Sequence, residues 1–229
     1  MKRFIAPLAL SLALATPVAF SATFADSTGE TISSANLDIA SVEVNNTATA
    51  LTFKINLAGD PIATDWGKYL IGIDSVAGGD PAGNAWARPI RMSSGMDYLV
   101  GSWVDFGNGA EIYKWNGTSW GLQSATYNPN PDALAISKDS SSVTITFYYA
   151  GLGLIAGNSI NFDVYTSGGG GGDSAIDALG NPAQSIANWG DAYDSGQNVK
   201  TYTIQVVPEP TTIALLGVAG LFILRRKLA

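Results

Sequence analysis

The sequence predicts an all-β fold: a two-sheet β-sandwich of about nine or ten strands, with an N-terminal signal helix and a short C-terminal transmembrane helix. Three observations carry that expectation. Apolar residues alternate along short segments from Leu37 to Val206, which places them on one face of successive strands. Clusters of Gly, Asn, Asp and Pro punctuate those segments where the chain must turn. Helical periodicity is absent outside the two ends, so the layers must be sheet on sheet.

The chain begins with Lys2 and Arg3, runs through an apolar stretch from Ile5 to Phe20, and closes on the small residues Ser21, Ala22 and Ala25 before Asp26. A basic start, an apolar middle and a small-residue exit are the three parts of a secretory signal, residues 1–25. The expected cleavage follows Ala25, with Ala22 the nearby alternative. An uncleaved anchor helix fits less well, because Pro7 and Pro17 interrupt the stretch.

Residues 26–206 form the predicted extracellular domain. A hairpin opens it, Leu37–Val44 followed by Ala50–Leu57, with Leu51, Phe53, Ile55 and Leu57 sharing one face. Next come strands around Lys68–Asp74 and Met96–Val100, then the hairpin Glu111–Trp120 turning at Asn116-Gly117. Val143, Ile145, Phe147 and Tyr149 mark another strand, Ile160, Phe162 and Val164 the next, and Tyr202, Ile204 and Val206 the last. Trp103 alternates within its strand and reads as core. Tyr113, Trp115 and Trp120 read as structural parts of their hairpin.

Composition narrows the chemistry. The chain has 12 basic and 19 acidic residues, and loss of both termini would leave 7 against 18, a net charge of −11. Such a surface repels phosphate backbones, so nucleic acid is not an expected partner. Cys and His are both missing from the sequence. The exported domain therefore has no disulfide staples, and zinc sites of the His/Cys kind and His-dependent triads cannot form. A glycosidase needs two positioned carboxylates, and nothing marks such a pair among the many Asp residues. The reading is a chain that is not an enzyme.

At the far end, Val207-Pro208-Glu209-Pro210 precedes the apolar segment 211–224 and then Arg225, Arg226 and Lys227. Fourteen helical residues rise about 21 Å, short of a hydrocarbon core of about 30 Å. The flanking prolines and the three cations, which can snorkel to a headgroup layer, still favour a membrane segment with its basic end in the cytoplasm. The order, spacing and terminal position of these three parts resemble the PEP-CTERM sorting signal, residues 207–229. That resemblance implies recognition by an exosortase, cleavage near Pro208-Glu209-Pro210, and a membrane partner before processing. It also implies an exported protein of the envelope, surface or matrix of an exopolysaccharide-making Gram-negative bacterium. Retention as a simple anchor is the alternative.

The succession of "YLIGID", "GMDYLV", "YKWNGTSW" and "INFDVYTS" within residues 36–206 is similar to DOMON-like domains of the family-nine carbohydrate-binding-module type. It implies a carbohydrate ligand, with extracellular polysaccharide as partner. Sugars stack their C–H faces on aromatic rings while their hydroxyls seek carboxylates, amides or Arg. Trp66 beside Asp65, Trp86 with Arg88, and Trp189 near Asn188, Asp191 and Asp194 are the candidates. Against them stands the common use of Trp to fill a core or cover a sheet edge. Asp74, Asp80 and Asp173 sit in Gly- and Asp-rich loops and are candidates for a structural calcium, although Asp in turns is more often solvated. No other cofactor is expected. A matrix or adhesion scaffold with no discrete ligand pocket is the alternative function.

Overall fold

The computed structural model describes residues 20–128, 134–184 and 186–207. The signal stretch before Phe20, the Pro208–Pro210 part of the sorting motif, the helix expected over 211–224 and the basic residues Arg225–Lys227 lie outside them. Among the described residues no helix is long and apolar enough to cross a membrane.

Two antiparallel sheets make up the domain. The first has five strands, β1 (Phe20–Ala25), β2 (Ile39–Asn46), β3 (Ala50–Leu57), β9 (Leu134–Lys138) and β10 (Ser142–Tyr148), in the order β1-β2-β3-β10-β9. The second runs β12 (Ala175–Ala178), β11 (Ser159–Ser167), β4 (Lys68–Asp74), β6 (Tyr98–Trp103), β7 (Gly109–Trp115) and β8 (Trp120–Ala125). The short β14 (Lys200–Thr203) pairs with the first half of β11. A two-residue parallel pair, β5 (Ile90–Arg91) with β13 (Tyr193–Asp194), ties two loops together.

The alternation seen in the sequence is a record of the core. Leu51, Phe53, Ile55 and Leu57 of β3, Val143, Ile145 and Phe147 of β10, and Ile160, Phe162 and Val164 of β11 all turn inward. Side chains of both sheets meet in one cluster, with Phe53 edge-on to Phe162 at 5.2 Å across the gap. This makes the two sheets a sandwich. Tyr202 and Ile204 join the core, but Val206 is exposed because pairing ends at Thr203.

More strands are present than the nine or ten expected. The additions are short or irregular: β5, β12, β13 and β14 have two to four residues each. The other is β1, drawn from Phe20–Ala25 at the end of the predicted signal. It pairs along β2 from Phe20↔Asn46 to Ala25↔Ser41, and Phe24 meets Phe162 edge-on at 5.2 Å.

A second, smaller core lies on the other face of the seven-stranded sheet. Leu70, Leu99 and Tyr165 turn outward there and are covered by Ile90, Met92, Met96 and Tyr193 from the loops. This second layer explains why β4 is buried on both faces, and it positions the loops that carry the candidate site.

Candidate functional site

Alternation sends Val100 and Ile112 into the sandwich, so Gly101 and Trp103 of β6 and Glu111 and Tyr113 of β7 face outward. Gly101 and Gly109 leave bare backbone on that face. A Cβ on Gly101 would overlap the Trp86 ring, and one on Gly109 would overlap Trp103, so both indoles lie against the sheet. Trp86 and Trp103 are 6.5 Å apart, and Trp103 stacks on Tyr127 at 6.4 Å.

Glu111 organises these rings. One carboxylate oxygen accepts hydrogen bonds from Trp86 Nε1 at 2.9 Å and Tyr113 Oη at 3.0 Å, and the other accepts from Tyr127 Oη at 2.5 Å. Three aromatic donors on one charged acceptor fix ring positions more firmly than packing alone. Burial and the Glu111 carboxylate push the Tyr113 hydroxyl up to about 12, and the Glu111 hydrogen bond raises that of Tyr127. Both therefore remain hydrogen-bond donors at neutral pH.

Arg88 is only 6% exposed, and its guanidinium lies 5.6 Å from the centre of the Trp86 ring. It donates through Nη1 to Ser167 Oγ at 2.7 Å and to the Asp173 carbonyl at 3.1 Å. Burial lowers its pKa, while the Asp173 charge acts in the opposite sense. Arg88 thus fastens the Trp86 loop to the end of β11. Between the two residues, Ala87 holds a left-handed φ of 52°, a conformation that costs a residue with a Cβ roughly 1 kcal/mol.

Beyond Asp173 the aromatic surface continues. Gly168 lies against both the Asp173 carboxylate and the Trp189 ring, and Trp189 meets Trp66 at 6.1 Å with planes tilted by 52°. Trp66 is 36% exposed and Trp189 38%. The four residues singled out for stacking and polar contact, Trp66, Trp86, Arg88 and Trp189, are therefore linked through Asp173 and Gly168 although they span 124 positions of sequence. Trp66 and Trp189 offer ring surface to solvent, Trp86 is half-buried, and the Arg88 side chain is committed to internal bonds. Of the polar neighbours, Asp65 and Asn188 are exposed. Asp191 accepts from the Ala187 and Asn188 amides, whereas Asp194 is paired with Arg91 at 2.9 Å.

None of the six tryptophans is buried. Trp103 is half-buried on the outward face, which corrects its reading as core: alternation gives the parity of a strand but not which parity faces in. Trp115 and Trp120 form a cross-strand pair at 5.6 Å, and Trp120 Nε1 donates to Asp80 at 2.9 Å.

The three aspartates considered for calcium are dispersed. Asp80 accepts from the Ala82 and Gly83 amides as well as from Trp120. Asp173 accepts from Gly170, closing the glycine loop. Asp74 is raised by burial, with Asp97 acting in the same direction. A different set converges: one carboxylate oxygen from each of Asp26, Glu30 and Asp177 lies within 4.8 Å of the others. Sequence reading passed over this group because Asp177 is far from the Asp26-Ser-Thr-Gly-Glu30 run. That run itself, two acids around a glycine, was the available signal.

Comparisons with known proteins bear mainly on the C-terminus. A family model described as the PEP-CTERM protein-sorting motif matches residues 206–227. That motif implies an exported, cell-surface protein whose C-terminus is anchored in the membrane and processed by an exosortase. No curated protein matches the chain. One solved structure, described as "pH-induced modulation of Streptococcus parasanguinis adhesion by Fap1 fimbriae", is similar at 13% identity, covering 68% of this chain and 78% of that one. The TM-score of that match is 0.24.

Proposed function

We propose that this chain is a non-catalytic carbohydrate-binding protein of the cell surface, of the DOMON-like type, delivered through its sorting motif and held near extracellular polysaccharide. The observation that carries the reading is the placement of tryptophan: all six lie outside the buried core, and Trp66 and Trp189 together present a solvent-facing surface. The exposed third or so of each indole forfeits part of the about 1.5–3 kcal/mol that full burial of a large apolar side chain provides. A ligand with an apolar face would recover part of it.

Sugar rings supply that face, and their hydroxyls match the exposed Asp65 and Asn188 beside the indoles. The tilt of 52° between the rings suits a bent or helical saccharide chain better than a flat one. The glycine loop 168–172 adds backbone amides and no side chains to obstruct approach. The Trp86–Trp103–Tyr127 row extends the surface across the sheet.

The full chain, purified in a detergent without a sugar headgroup, can be screened on a glycan array and against acidic and neutral bacterial exopolysaccharides. Saturable binding to at least one polymer is expected. A folded chain that binds none would instead assign the domain to a scaffold role in the surface matrix.

A further inference from the structure

Segment 26–38 crosses from β1 to β2 and carries three acids, Asp26, Glu30 and Asp38. It folds back against β12, where Asp177 is fully buried. The Asp177 carboxylate accepts from the Ile39 amide at 2.6 Å and the Ala178 amide at 2.7 Å, so it already joins the start of β2 in one sheet to the edge of the other. Asp38, 4% exposed, uses one oxygen to accept from the Gly29 amide at 2.8 Å.

The remaining oxygens are not satisfied. Asp26 Oδ2, both oxygens of Glu30 and Asp38 Oδ1 are withdrawn from solvent and have no hydrogen-bond donor. The Asp38 charge acts on Asp26, and the Asp26 and Glu30 charges act on Asp177, so the four groups share one field. Lys200 offsets that field at Asp26. Buried acceptors are otherwise paired almost without exception, and unpaired buried carboxylates cost several kcal/mol each.

We propose that Asp26, Glu30 and Asp177 hold one calcium ion beside the unpaired Asp38 oxygen, and that the ion pins the N-terminal segment to β12 and staples the two sheets at that end of the sandwich. The donors are all oxygen, supplied by carboxylates from separate segments, which suits a large hard cation with a flexible shell of six to eight ligands. Magnesium demands a tighter octahedron and keeps several waters. An exported protein without cysteine gains from a metal what a disulfide would otherwise provide. Affinity should fall at roughly 10⁻⁴ to 10⁻³ M, the range of extracellular calcium modules.

The test is thermal unfolding of the full chain in detergent, stripped with EGTA and then returned to 10 mM calcium chloride. Calcium should raise Tm by roughly 5 °C or more. In Glu30→Gln the rise should shrink below about 1 °C, and Tm in EGTA should equal or exceed that of the parent, since one repelling charge has gone. Asp26→Asn, which can keep the Ser27 hydrogen bond, should show the same pair of results and serves if Glu30→Gln does not fold. No calcium-dependent rise in the parent would overturn the site. So would a rise retained in both variants, or a loss of Tm in EGTA on neutralising either acid.

Discussion

Two sets of aromatic residues divide this domain. Between the sheets, Phe53 and Phe162 are fully buried and Phe147 nearly so, with Phe24 packed against them, all of them pure hydrocarbon and meeting ring to ring. On the outward face, Trp86, Trp103, Tyr113 and Tyr127 lie over glycine backbone or gather around Glu111, and Trp66 and Trp189 stand half in water. Tyr69, Tyr98, Tyr149 and Tyr202 share the inner core, but each hydroxyl donates to a backbone carbonyl or, from Tyr202, to Asn46, because a phenol O–H or indole N–H needs a partner where a phenyl ring does not. The difference separates stability from recognition: the inner rings hold the sheets together, and the outer rings are held in place by the sheet.

The inner set should dominate stability. Phe162→Ala removes the partner of both Phe24 and Phe53 and opens a cavity at the centre of the sandwich. A loss of about 3–5 kcal/mol in chemical denaturation is expected. A loss under 1 kcal/mol would mean that the sheets do not share this core.

Beneath the outer layer, Asp163 gives the next largest effect. It is fully buried, accepts from the Val164 and Gly180 amides and from Ser195 and Tyr193 hydroxyls, and is still pushed up to about 6 by burial. A carboxyl raised above its unfolded value binds its proton more tightly in the folded state. Its contribution to stability is therefore full below about pH 4, falls as pH rises to about 6 and is level above, a change of roughly 3 kcal/mol. Asp163→Asn should remove that slope, read as the difference between the stability–pH curves of parent and variant. Identical curves would show that the four donors hold the charged form without penalty.

Much of the inner set was legible in the sequence, and little of the outer set was. β3, β10 and β11 announce themselves because each has one face on a continuous core, so period-two alternation survives. β4 does not alternate, since Leu70 is buried under the loops while Tyr69 and Ile71 are buried in the sandwich. The candidate residues Trp66, Trp86 and Trp189 could be named for their chemistry, but Arg88 could not be recognised as an internal clip, because Ser167 and Asp173 lie about eighty positions away. The carboxylate group of Asp26, Glu30 and Asp177 was hidden for the same reason: its spacing follows the path of the fold, not a local motif.

The outer set should cost little stability. Trp66→Ala with Trp189→Ala removes a surface pair and is expected to change unfolding free energy by less than about 1 kcal/mol, in the range of substitutions away from cores and buried networks. A larger loss would move these residues from the recognition set to the structural one. Smaller still is Ala87→Gly, which relieves the left-handed φ of 52° between Trp86 and Arg88. A gain of roughly 0.5 kcal/mol is expected, because glycine tolerates that conformation but adds freedom to the unfolded chain.

The division between the two sets is tested most directly by binding and stability measured together on the Trp66→Ala/Trp189→Ala protein. With the polysaccharide that the parent binds best, the account predicts an affinity at least tenfold weaker, about 1.4 kcal/mol, at an unchanged unfolding midpoint. Undiminished binding by the double variant would contradict it and place recognition elsewhere on the domain.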